Sequence, residues 1–99
     1  MISTEIHEGG CSCGKVRYQT FGQPARTGVC HCRYCQTRTG SAFGISVYFM
    51  KENVVKTQGE LNEYEFTTES GRSFKQEFCP KCATTLFWVL EVSEGLTGV

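Results

Sequence analysis

The chain has 99 residues, enough for one domain. Its ten basic and ten acidic residues cancel, which leaves no electrostatic footprint for nucleic acid or an anionic membrane. No apolar run is long enough to span a bilayer. Residues 1–8 lack the basic and apolar regions of a signal peptide, so the expected location is cytoplasmic.

The chain opens on an arm that carries His7, read as a surface histidine, and then reaches Cys11-Ser12-Cys13. Residues 15–21 alternate as a strand with Val16 and Tyr18 on one side, and Gly22-Gln23-Pro24 ends it. A second cysteine cluster, Cys30-His31-Cys32-Arg33-Tyr34-Cys35, leads into the only helical candidate. That helix spans Arg33–Thr39, about two turns, with Gly40 as its stop. Phe43, Ile45, Val47 and Phe49 then repeat at the strand period. Residues 51–53 and 58–60 read as turns. Residues 61–67 and 74–78 form strands joined by a hairpin loop over 69–72. Cys79-Pro80-Lys81-Cys82 follows, and Leu86, Trp88 and Leu90 mark a last strand. The pattern predicts an all-β, compact antiparallel domain with at most one short helix.

Seven cysteines in a chain of this size need a purpose. An export signal and an even count would point to disulfides, and neither is present. The short C-x-C and C-x-x-C spacings suit a metal, because each aims two sulfurs at one point about 2.3 Å away. Zinc is the expected cofactor. Cys11, Cys13, Cys79 and Cys82 can close a saturated structural site, and Cys30, Cys32 and Cys35 can hold a second zinc with one position open. Spacing alone leaves this pairing open. His31 sits between two ligands, so its ring is expected to point away from their metal. Gly9, Gly10 and Gly14 flank the first pair, where backbone amides could turn toward thiolates. Lys81 is read as an offset to the charge of a four-thiolate site.

Three thiolates leave zinc with net negative charge, so its bound water is a poor acid. A small thiol suits that centre better, and its bound thiolate would stay nucleophilic. Arg33 and Arg38 lie nearest in sequence and are the candidates for a substrate carboxylate. Gln36 and Thr39 are candidate hydrogen-bond donors. Phe43, Phe49, Phe66, Phe78, Phe87 and Trp88 are read as packing rather than pocket wall. Two other readings stand beside the enzyme: a non-catalytic, zinc-stapled binding or scaffold module, and a redox dithiol at Cys79 and Cys82. The redox reading expects a helix after the C-x-x-C, where strand pattern stands instead.

The stretches 9–18, 30–43 and 78–82 resemble the three motifs of the glutathione-dependent formaldehyde-activating enzyme family, which includes centromere protein V-like proteins. The resemblance implies a β-tent of packed antiparallel sheets over a single domain, residues 1–99. It implies a carbon–sulfur lyase that joins glutathione to formaldehyde. It assigns the structural zinc to Cys11, Cys13, Cys79 and Cys82, and the catalytic zinc to Cys30, Cys32 and Cys35. Two departures stand out. Relatives commonly carry glycine where this chain has Ala83, and a left-handed backbone there would cost alanine about 1 kcal/mol. Relatives also continue past Gly98-Val99, so a shortened sheet with an exposed C-terminal edge, and hence a homodimer, is expected.

Overall fold

The computed structural model describes residues 5–91 and 95–99. Its strands are β1 (Ile6–Gly10), β2 (Arg17–Phe21), β3 (Arg26–Cys30), β4 (Gly44–Met50), β5 (Val54–Gln58), β6 (Asn62–Thr67), β7 (Ser73–Phe78), β8 (Thr85–Leu90) and β9 (Leu96–Gly98). One helix, α1 (Arg33–Thr39), follows β3. All pairings are antiparallel, in two sheets of order β1-β2-β5 and β3-β4-β9-β8-β7-β6. This is the expected architecture of packed antiparallel sheets with one short helix at the second cysteine motif.

β8 is where the two layers meet, and its residues are buried on both faces. Phe87 turns toward the smaller sheet and meets Tyr18 of β2 edge-on at 5.0 Å. Trp88 packs in a second core with Tyr48 and Phe74 of the larger sheet. The first core gathers Val16, Leu86 and Phe87 around Cys11 and Cys79. Each core thus lies against one cysteine cluster. A tight turn over 51–53 carries β4 of one sheet into β5 of the other.

Three expectations are corrected. The N-terminal arm is a strand: β1 pairs with β2, His7 opposite Thr20, because backbone pairing needs no apolar alternation. His7 itself is exposed. The C-terminal strand is not an edge, since β9 lies between β4 and β8, and the outer strands of that sheet among the described residues are β3 and β6. Gly9 and Gly10 are strand residues; a side chain at Gly9 would strike the Tyr18 ring, so close packing rather than amide turning explains it.

Candidate metal centres

Two turns build the first cluster from opposite ends of the chain. In one, the Gly14 amide bonds back to the Cys11 carbonyl at 3.1 Å. In the other, the Ala83 amide bonds back to the Cys79 carbonyl at 2.8 Å. The residue after the second cysteine is left-handed in both, Gly14 at φ 83 and Ala83 at φ 65. Glycine accepts that conformation freely and alanine does not. The four sulfurs of Cys11, Cys13, Cys79 and Cys82 lie within 4.8 Å of one another. Cys11 and Cys13 Sγ are 3.5 Å apart, and Cys13 and Cys79 Sγ 3.7 Å. Thiolates held about 2.3 Å from a tetrahedral metal stand about 3.8 Å apart, so the donor set fits zinc in number, type and spacing.

Neutral donors surround these sulfurs. The Val16 amide points at Cys11 Sγ at 3.3 Å and the Lys81 amide at Cys79 Sγ at 3.4 Å. The Thr84 hydroxyl lies 3.2 Å from Cys82 Sγ. That hydroxyl, then the amides of Thr84 and Cys13, lower the Cys82 pKa to about 5. At Cys13 the Lys15 amide pulls down, but desolvation and the neighbouring thiols outweigh it and push the pKa to about 11. Cys79-x-x-Cys82 sits in the turn between β7 and β8 with no helix behind it, and its sulfurs join Cys11 and Cys13. This arrangement does not favour a redox dithiol.

The second cluster is local. Cys30 ends β3, Cys32 caps α1, and Cys35 lies one turn into the helix. Gly40, at φ 70, stops the helix as expected, its amide bonding to the Gln36 carbonyl. The three sulfurs again lie within 4.8 Å of one another. Burial, then the Cys30 and Cys32 thiols, push Cys35 to about 11, while Arg38 pulls it back. Cys32 is lowered: desolvation raises it, but the Cys35 amide and the other two thiols win. Three sulfurs, with no fourth donor in the group among the described residues, fit a metal that keeps one position open. His31 lies outside the group; its ring packs on Phe43 at 5.5 Å.

Cys30, Cys32 and Cys35 line a cavity of about 180 Å³, closed by Tyr48, Phe74, Trp88 and Leu90. Trp88 is therefore a pocket wall as well as a core residue. Sequence alternation marks it as buried but cannot say that a helix will arch over it. Arg38 lies across Trp88, its guanidinium carbon 4.0 Å from the ring centroid. Arg33 points elsewhere, ion-paired with Glu69 at 2.8 Å on the exposed surface. The Gln36 amide bonds the His31 and Ala42 carbonyls, and the Thr39 hydroxyl bonds the Cys35 and Phe43 carbonyls. Both side chains serve the loop after α1. Tyr48 and Ser46 line the cavity too, and no motif in the sequence marks them.

Residues 6–99 match the model of the glutathione-dependent formaldehyde-activating enzyme family. The chain belongs to that family. This member is also similar in fold to a crystal structure of a Rhodobacter sphaeroides protein from a structural genomics programme. The TM-score is 0.74 at 21% identity, over 94% of this chain and 83% of that one. No curated protein matches this family member in sequence. None of its helices, among the described residues, is long and apolar enough to cross a membrane.

Proposed function

We propose that this chain is a zinc-dependent carbon–sulfur lyase-type enzyme. It activates a small thiol, glutathione by its family's description, for addition to formaldehyde or another small electrophile. The observation that carries the reading is the open three-cysteine cluster at the wall of a cavity, beside a separate, saturated four-cysteine cluster. Cys11, Cys13, Cys79 and Cys82 hold the structural zinc, and Cys30, Cys32 and Cys35 the catalytic one. Zinc at the second cluster supplies a soft, electrophilic position that favours the deprotonated form of an incoming thiol.

The chain's residues do the rest. Tyr48, Phe74, Trp88 and Leu90 shield the reacting sulfur from water. Arg33 is open to solvent, and its exposed ion pair is weak enough to be exchanged for a substrate carboxylate. In the addition, the thiol sulfur bonds to the aldehyde carbon, the carbonyl π bond breaks, and the thiol's proton ends on the oxygen. The product is a hemithioacetal, S-hydroxymethylglutathione in the case of formaldehyde. The many free thiols suit a cytoplasmic setting.

Calorimetric titration of glutathione into zinc-loaded protein tests this. Saturable binding that is lost in Cys35→Ser is expected, with one zinc per cluster by elemental analysis. Absence of binding to fully loaded protein sinks the reading. A binding module without catalysis then takes its place. One observation favours that alternative: Val29 and Ile45 pair across β3 and β4 and stand 59% and 62% exposed beside a free edge.

A further inference from the structure

The sequence casts Arg38 as a contact for substrate carboxylate. Its surroundings point to a further role at the metal cluster. Nε and Nη2 of Arg38 are buried and have no hydrogen-bond partner among the described residues. A buried guanidinium left unpaired is costly, and a chain that keeps one has an anion for it. No carboxylate of the chain lines this cavity: its wall holds Arg38 and three cysteines but neither aspartate nor glutamate. The groove on the other side of Arg38, lined by Thr37, Tyr64, Phe66 and Gln76, has none either. The sulfurs are the candidates that the cavity wall itself supplies. Metal loading turns all three thiols into thiolates.

Two further features aim the guanidinium at the cluster. Trp88 holds it face-on from below, and the indole is itself fixed by donating to the Tyr48 hydroxyl at 3.2 Å. Gly44 borders it as well. A Cβ at Gly44 would fall 2.6 Å from Arg38 Nη2 and 3.1 Å from Cys35 Cβ. The missing side chain leaves the guanidinium and Cys35 facing the same small space.

We propose that Arg38 is a positioning residue for the three-cysteine centre, donating charge-assisted hydrogen bonds to its thiolates at Cys35. The proposal rests on the reading that this cluster holds a metal. Its cation offsets the net negative charge of a zinc bound by three thiolates. That makes room electrostatically for a fourth, substrate thiolate. At the four-cysteine centre the donors that reach the sulfurs are the amides of Val16 and Lys81 and the Thr84 hydroxyl, and Arg38 is not among them. Loss of Arg38 should therefore separate the two centres.

Cobalt(II) titration of the metal-free protein tests it, with sulfur-to-cobalt charge-transfer absorption as the readout. In the parent chain two classes of site fill, and Cys30→Ser removes one. In Arg38→Gln the affinity of that class falls about tenfold to a hundredfold. Its charge-transfer band moves to longer wavelength, because sulfur lone pairs that lose a donor rise in energy. The four-cysteine class keeps its affinity. Arg38→Lys restores most of both signals, and Gly44→Ala reproduces the loss by displacing the guanidinium. Unchanged affinity and band in Arg38→Gln, with the fold intact by circular dichroism, overturn the proposal. A parent chain that fills only the class untouched by Cys30→Ser overturns the metal-centre reading, and this inference with it.

Discussion

Ala83 occupies a left-handed position that its counterpart in the other turn fills with Gly14. An L-residue with a side chain loses about 1–2 kcal/mol there. Ala83→Gly is therefore expected to stabilise the zinc-loaded protein by about 1 kcal/mol, after the entropy that glycine adds to the unfolded chain is subtracted. The melting temperature should rise by about 4–8 °C, and a fall would refute the strain. Thr84 sets a second local effect. With its pKa lowered to about 5 from the ordinary 9.0, Cys82 is a thiolate at neutral pH in the folded, metal-free chain. Its alkylation by iodoacetamide should be fast at pH 7 and fall as the pH drops through that value. Thr84→Ala removes the leading cause, so the fall should move to higher pH; mass spectrometry of the modified peptide reads this. Cys35, pushed up to about 11, should react slowly at the same pH.

α1 is only seven residues long, too short to be stable alone. Its position over the cavity depends on what it touches. Tyr34 stacks on Phe66 of β6 at 5.5 Å, and its hydroxyl accepts a hydrogen bond from the Glu69 amide at 2.9 Å. Tyr34→Phe keeps the stack and leaves that amide without its acceptor, at a cost of about 1 kcal/mol. Chemical denaturation measures it; no change would mean that the stack alone docks the helix. Arg33→Ala should cost well under 1 kcal/mol, since the ion pair with Glu69 is solvent-exposed. The same variant should weaken glutathione binding in calorimetry if the guanidinium meets a substrate carboxylate. The helix was legible in the sequence to its last residue, because Gly40 is the stop that a left-handed cap demands. β1, β3, β5 and β9 lie outside the strands that the sequence pattern predicts. β1 and β3 contain glycines and few buried side chains, so they carry no alternating signal.

Across the molecule, the two cysteine clusters are not equivalent. The first ties β1 to the β7–β8 turn and borders the core around Val16 and Phe87, with Cys11 and Cys79 themselves buried there. The second closes on one helix and one strand end. Zinc at the first should therefore hold distant parts of the chain together, and zinc at the second should matter mainly to the cavity. Cys79→Ser is expected to lower the melting temperature by about 10 °C or more, and Cys30→Ser by much less. Thermal unfolding of both variants, loaded under the same conditions, distinguishes them; equal losses would contradict this division.

The chemistry of the donors and much of the frame are legible in short stretches of the chain. The cysteine spacings are local, and each motif carries its own geometry in a few residues. The strand period at β2, β4, β6, β7 and β8 and the glycine stop of α1 are local as well. Long-range folding sets which motifs meet, since Cys11 and Cys79 are brought together by sheet pairing that no short stretch encodes. It also decided that β9 inserts between β4 and β8 instead of leaving an edge. Finally, it separated two arginines that look alike in the chain. Arg33 ends at the surface on Glu69 and Arg38 beneath the helix on Trp88, because α1 turns one outward and the other toward the cavity.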